Sequence, residues 1–368
     1  MGLYVHVPFC SIKCFYCDFT AFSGQRKSIS RYLSAITREA SFYEVAAPRT
    51  LYVGGGTPTE LSAQELSLLF GALDARFGPL EQLAEATVEA NPESTDAEKL
   101  GVMRRAGVTR LSFGLQTTDD GLLRAIGRKH TFADFRRVYD LARREGFQLS
   151  VDLMTGLPGQ SIKQSRQDLD NTLELQPDHF SVYSLSVEDR TLFSKRRVES
   201  DDATAREMTE AAYARLEGEG YAHYEISNFA HPGKESLHNI NYWLDGDYLG
   251  LGCGAAGHVG SERYQNEERL EKYLRRVEAG ERPVSSSERL EGKEKIGERI
   301  LLRLRLIDGF SLTPEMQEQF RPQFERLLER GLIEMDGGGC SSCLPKMRLT
   351  HEGKFLANEA FREFVAPF

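Results

Sequence analysis

Long apolar runs are missing from this chain. No stretch approaches the ~18 apolar residues that a membrane-spanning helix requires, which excludes an integral helical membrane protein. The first residues, Met1-Gly-Leu-Tyr-Val-His-Val, lack the basic segment and apolar core of a secretory signal and read as a strand that begins at once. We therefore expect a cytoplasmic protein. A surplus of positive charge is also absent: 46 basic against 55 acidic residues leave a net charge of −9, which argues against a nucleic-acid binder. Cysteine is scarce, and six in 368 residues cannot staple a disulfide scaffold. Tryptophan occurs once, at Trp243, and no internal repeat or low-complexity tract interrupts the chain.

What the sequence does have is a rhythm. Short apolar runs at Leu3–Val7, Leu51–Val53, Ala86–Ala90, Arg110–Phe113, Gln148–Met154 and Phe180–Leu185 predict strands. Each is followed by an amphipathic stretch, near Tyr32–Phe42, Gln64–Phe77, Asp96–Ala106, Phe132–Glu145, Gln164–Leu175 and Ala203–Leu216. Ser62 and Ser94–Asp96 read as helix starts, and Gly78, Gly107 and Gly146 as stops. Six successive βα units predict a parallel sheet, open or curled into a full or partial barrel. The polar oddities gather after the strands: the cysteines after the first, Gly54-Gly55-Gly56-Thr57-Pro58 after the second, Glu89 ending the third, Gln116 after the fourth and Asp152 in the fifth. Carboxyl ends of parallel strands are where such folds build their sites.

The rhythm stops near residue 220. We expect a core over residues 1–220, an extension rich in Gly and aromatics over 221–285, and a smaller α+β module over 286–368. In that module, two helices, two short strands around Asp336-Gly-Gly-Gly and Lys346–Leu349, and a closing helix over Glu352–Phe364 resemble a winged helix. Acidic residues interspersed along it favour a lid or a protein-docking role over nucleic-acid binding. Helices are also expected over Glu267–Ala279 and Glu288–Arg305.

Cys10-Ser-Ile-Lys-Cys14-Phe-Tyr-Cys17 places three thiolates on one short loop with no fourth Cys or His close by. That donor set suits a metal or cluster with one position left open, whereas structural zinc takes four protein ligands. The Cys-x3-Cys-x2-Cys spacing after a first strand resembles the radical S-adenosylmethionine superfamily. With Tyr4-Val5-His6-Val7-Pro8-Phe9, the Gly54–Thr59 run, Gly114-Leu115-Gln116 and Asp152–Pro158, the chain resembles the oxygen-independent coproporphyrinogen III oxidases and the related HemW-type haem chaperones over essentially its whole length.

The resemblance implies a partial (β/α)6 barrel and a [4Fe-4S] cluster held by Cys10, Cys14 and Cys17. It implies S-adenosylmethionine bound through Tyr4, Tyr16, Gly55, Gly56, Thr57 and Glu89, with Gln116, Arg128 and Asp152 at cofactor positions that in the oxidase line a second S-adenosylmethionine. Three departures point away from the oxidase. Phe19 stands where the oxidase has another cysteine, the substrate-covering N-terminal arm is missing, and His238-Asn-Ile-Asn-Tyr242-Trp243 matches a haem-associated motif of the chaperones. An imidazole can ligate haem, and Tyr and Trp offer flat apolar surface to a porphyrin; without the match, His238 reads as a satisfied loop histidine beside two aromatics. The resemblance thus implies a chaperone that binds haem through His238, Tyr242 and Trp243 and delivers it to recipient haemoproteins, those of the respiratory chain included. Oxygen-independent coproporphyrinogen III dehydrogenation is the alternative. Enzymatic turnover, peripheral membrane contact and a homodimer stay open. Gly250-Leu-Gly-Cys-Gly-Ala-Ala-Gly257, which follows no clear strand, is a candidate border of the same pocket, Cys253 and His258 are candidate haem neighbours, and Cys340-Ser-Ser-Cys343 reads as two ordinary thiols.

Overall fold

A computed structural model describes residues 1–199, 201–336 and 344–367. Cys340 and Cys343 lie outside the described residues.

Six strands, β1 (Gly2–Val7), β2 (Thr50–Gly55), β3 (Glu85–Ala90), β4 (Arg110–Gln116), β5 (Gln148–Thr155) and β6 (His179–Ser184), lie side by side in chain order. Each runs parallel to the next. The register follows from two-residue alternation. Val5, Val53, Val88, Leu111 and Leu149 form one continuous row across the sheet, and all five sit in the main core. Their neighbours along each strand point to the other face, where the side chains are polar.

The apolar row packs under helices α1 (Ile29–Ala40), α2 (Ala63–Phe77), α3 (Ala97–Arg105), α4 (Phe132–Arg144), α5 (Ile162–Leu173) and α6 (Asp202–Gly218). Ser62 and Asp96 start α2 and α3 by accepting a backbone N–H three residues on. Gly78, Gly107 and Gly146 follow α2, α3 and α4 with φ of 93°, 87° and 78°, the left-handed stop that glycine allows. The short helix Asp120–Ala125 is too brief to carry a periodic signal and escaped the sequence reading.

Residues 221–285 add to both edges of this sheet. Ala222–Glu225 and Asn228–Ala230 extend it beyond β6. Tyr248–Leu251 pairs parallel to β1, and Ala256–Val259, Glu262–Asn266 and Val284–Arg289 continue from there in antiparallel fashion. Two expectations are corrected here. The Gly250–Gly257 stretch begins inside a strand, and its glycines let strands approach: a Cβ on Gly250 would meet the Ala256 carbonyl, and one on Gly257 the Tyr264 ring. The helix expected from Glu288 starts only at Gly292, because Val284–Arg289 is held as an edge strand.

The C-terminal unit has a core of its own around Ile300, Met316, Phe320 and Met347. Its helices Gly292–Arg303 and Pro314–Glu329 pack against a three-stranded sheet of Phe310–Ser311, Lys346–Leu349 and Ile333–Asp336. Pro314–Glu329 is kinked at Phe320, two residues ahead of Pro322. The closing helix is broken at Leu356 into His351–Phe355 and Ala357–Arg362.

Candidate functional site

A cavity of about 380 Å³ opens among the carboxyl ends of the strands and runs down the inside of the partial barrel. Cys10, Cys14, Cys17, Tyr16, Gly55, Gly56, Thr57, Glu89, Gln116, Arg128 and Asp152 all line it. The cysteine loop is pinned from several sides: Phe22 N–H donates to Pro8 O at 2.7 Å, Phe15 N–H to Ile126 O at 3.0 Å, and Phe193 N–H to Phe15 O at 2.9 Å. All three thiols are free and half-buried. Desolvation pushes the Cys10 thiol up to about 11 and the Cys17 thiol upward as well.

The three consecutive glycines each clear a different neighbour. A Cβ on Gly54 would meet the Glu89 carboxyl, and one on Gly55 the His6 ring; one on Gly56 would lie within 2.9 Å of the backbone of Val7 and Phe9. Gly55 also has φ of 104°. Gly56 N–H donates to Val7 O at 3.0 Å and Thr57 N–H to Phe9 O at 2.8 Å, so this segment is stitched to the chain leading into Cys10. Gly56 is thus needed for this close backbone contact. Glu89 holds the turn from below: its carboxylate accepts from Tyr52 OH at 2.8 Å and from Gly55 N–H at 3.0 Å. Desolvation nonetheless pushes it up to about 7.

Gln116 sits at a register shift between β4 and β5 with φ of 74°, a strained setting that costs about 1–3 kcal/mol and recurs at functional sites. The Arg128 guanidinium donates to Asn91 Oδ1 at 2.9 Å and to the Gly114 carbonyl, leaving its Nε buried without a hydrogen-bond partner. Asp152 is pushed up to about 6 by desolvation, which Ser181, Arg128 and Ser112 only partly offset.

Below these residues the inner file continues through Thr87, Arg110, Ser112, Ser150, His179 and Ser181. Sequence reasoning missed this polar lining. Its signal was present in Glu85-Ala-Thr-Val-Glu89 and Arg110-Leu-Ser112, where polar and apolar residues alternate strictly.

Tyr4, His238, Tyr242 and Trp243 are not on the cavity wall. Tyr4 stacks on Tyr52, and its hydroxyl is 2.9 Å from His6 Nδ1. Helix Leu237–Trp243 closes the amino ends of the strands, so that only Ser236 and Asn239 reach the cavity from it. His238 is fully buried, with Nδ1 2.9 Å from Thr50 Oγ1 and Nε2 2.7 Å from Tyr242 OH. Its ring stacks on Tyr52, and burial lowers its pKa to about 3. Glu85 Oε1 accepts the His238 N–H at 3.0 Å, and Glu85 also faces Arg110 at 3.3 Å. Cys253 lies in the core with Sγ 3.2 Å from Glu267 O, and His258 contacts Lys295; neither lines the cavity.

Parallel strands in barrel order, with three unpaired thiols on one loop at their carboxyl ends, define a radical S-adenosylmethionine protein, and residues 4–172 match the model of the Radical SAM superfamily. Similarity extends well past that segment. The chain is 37% identical to the haem chaperone HemW of Bacillus subtilis, with 98% of each chain covered. It is 32% identical to that of Escherichia coli, with 100% of this chain and 98% of the relative covered. The chain belongs to the HemW haem chaperone family. Among solved structures, the coproporphyrinogen III oxidase of Escherichia coli, a radical SAM enzyme, superposes with a TM-score of 0.85 at 23% identity. That match covers 100% of this chain and 90% of the oxidase, and it is a likeness of fold.

Proposed function

We propose that this chain binds haem and passes it to recipient haemoproteins, with a [4Fe-4S] cluster and S-adenosylmethionine held at the barrel mouth. The observation that carries this reading is end-to-end similarity to haem chaperones, at 37% and 32% identity to two of them.

The donor set at the mouth fits both groups. Cys10, Cys14 and Cys17 would supply three thiolates and leave one position for S-adenosylmethionine. A bound cluster supplies the electron that cleaves the sulfonium. With Cys10 and Cys17 pushed upward, the metal-free loop keeps these thiols protonated near neutral pH, so assembly releases protons. Glu89 fixes the glycine turn that approaches the cofactor, and Tyr16, Gln116, Arg128 and Asp152 offer polar contacts to it, with the unpartnered Arg128 Nε as a spare donor.

Residues 1–220 hold the cofactors in this reading, 221–285 carry the haem motif and 286–368 form a closing module. Haem settles on the outer side of helix Leu237–Trp243, where Leu237 and Leu244 are exposed and Tyr242 and Trp243 partly so. Ligation by His238 requires it to leave Thr50 or Tyr242. We place the protein in the cytoplasm, with recipients that include respiratory haemoproteins.

The test is anaerobic reconstitution with iron and sulfide, followed by haem titration, transfer to an apo-haemoprotein, and incubation of coproporphyrinogen III with S-adenosylmethionine and reductant. Haem binding and transfer without protoporphyrinogen formation are expected. Decarboxylation at an oxidase's rate would replace this reading with the dehydrogenase.

A further inference from the structure

Helix Leu237–Trp243 is gripped from outside the barrel by a set of charges that neither the cluster nor the cofactor pocket uses. Asp245, two residues beyond the helix, has its carboxylate buried and takes φ of 61°. Its Oδ1 lies 2.8 Å from Lys295 Nζ and its Oδ2 3.2 Å from Arg299 Nε. Both cations stand on helix Gly292–Arg303, whose Ile296 and Ile300 belong to the C-terminal core. The Lys295 ammonium is held on two further sides, 2.9 Å from Glu298 Oε2 and 2.8 Å from His258 Nε2. Arg263 pairs with the other oxygen of Glu298. Asp245, His258 and Glu298 converge as a cation site would, and the lysine ammonium is the cation that fills it. A second grip lies nearby: the Arg305 guanidinium stands 4.2 Å over the Trp243 ring and 3.6 Å from Glu225.

We propose that Lys295, Arg299 and Arg305 are positioning residues that latch helix Leu237–Trp243 against the barrel floor. Through this latch, the C-terminal unit keeps His238 in its closed pairing with Thr50 and Tyr242. Releasing it is the step that exposes the imidazole and the Trp243 face to a planar, metal-bearing ligand. The exposure step rests on the haem reading given above, whereas the latch itself does not. The Asp245 and Glu298 carboxylates are buried, at 3% and 4% exposure, and removing one partner of a buried charge leaves the other uncompensated, so one substitution should loosen the whole grip.

Trp243 is the chain's only tryptophan, so its fluorescence reports this helix alone. The variants are Lys295→Met, which keeps length but removes charge, Lys295→Arg as the rescue, and Arg305→Gln as a milder change should the first fail to fold. In the full-length protein, Lys295→Met and Arg305→Gln should red-shift Trp243 emission and raise its quenching by acrylamide at least twofold. Haemin should associate several-fold faster, and Lys295→Arg should stay near the parent. A merely structural role predicts a lower melting temperature with emission and quenching unchanged, and that result overturns the latch. If the parent binds no haemin, the haem reading fails, while the Trp243 measurements still decide the latch.

Discussion

At the carboxyl end of the barrel, three thiols face the cavity with only weak partners among the described residues, Cys10 beside Thr57 Oγ1 at 3.5 Å and Cys17 beside the Phe19 backbone. At the amino end, His238 has both ring nitrogens paired, and Glu85 accepts from the amides of Leu237 and His238. Arg110 Nη2 donates to the carbonyls of Lys234 and Glu235. One end of the same six strands presents weakly paired thiols to the cavity; at the other, His238 and Glu85 are fully engaged by the protein itself, although Arg110 Nη1 and Trp243 Nε1 are buried without a hydrogen-bond partner. Buried polar groups that already have partners hold the fold, and removing one strands the others. Groups without partners contribute little to folding and can meet a ligand without first breaking a bond. Substitutions at the mouth should therefore cost cofactor, and substitutions at the floor should cost stability.

The largest effect expected of this contrast is at the cysteines. Cys10→Ala, Cys14→Ala or Cys17→Ala should each abolish nearly all iron bound on reconstitution and the broad visible absorption that accompanies it. The melting temperature of the metal-free protein should move by no more than a few degrees. A double Cys340→Ser, Cys343→Ser control should keep its iron. Iron retained in all three single variants would remove the cluster from this loop.

Gly56→Val is the substitution that should break the division between the ends. It lies at the mouth, but its added side chain collides with the backbone of Val7 and Phe9, which cannot move without unstitching β1 from the Gly54–Thr57 segment. We expect a loss of about 3 kcal/mol or more in urea unfolding together with loss of the cluster, because Cys10 directly follows Phe9. A stable variant that assembles its cluster and only binds S-adenosylmethionine more weakly would show that this backbone yields easily.

This difference also explains what the sequence made legible. The cysteine loop and the glycine run are local, so spacing along the chain was enough to read them, and the strand–helix rhythm was bounded by caps at Ser62 and Asp96 and by left-handed glycines. The inner polar file was readable in principle, but the apolar half of each alternating strand drew the attention. The floor was not readable. His238 meets Thr50 across 188 positions of sequence, and the strand pairings on either side of its helix, Asn228–Ala230 with β6 and Tyr248–Leu251 with β1, bring that segment under the barrel. The same contact that decides whether His238 is free or satisfied is the one that no local pattern encodes.

His238 tests the floor directly. His238→Ala would leave the Thr50 and Tyr242 hydroxyls without this partner and remove a ring stacked on Tyr52. We expect a loss of about 2–4 kcal/mol and reduced haem binding, with iron content unchanged after reconstitution. Asn in the same place should recover part of the stability but none of the ligation. Full haem binding by both variants would move the haem site away from His238.

The smallest effect, and the sharpest on the comparison, is a pair of opposite pH slopes. His238 is lowered from an ordinary 6.5 to about 3 by burial. The unfolded chain therefore takes up that proton first, and the stability His238 contributes is whole above pH 6.5 and lost as pH falls toward 3. Glu89 is raised from 4.5 to about 7 by desolvation, so its contribution is whole below pH 4.5 and lost as pH rises toward 7. Each group accounts for at most about 1.4 kcal/mol per pH unit inside its window. Urea unfolding of the metal-free parent, His238→Asn and Glu89→Gln between pH 4 and 7.5 separates them, since every other titrating group cancels in the differences. The parent's advantage over His238→Asn should shrink as pH falls from 6.5, and its stability relative to Glu89→Gln should grow over the same range. Two differences with the same sign of slope would mean that burial does not disfavour the charged form of one of these two groups.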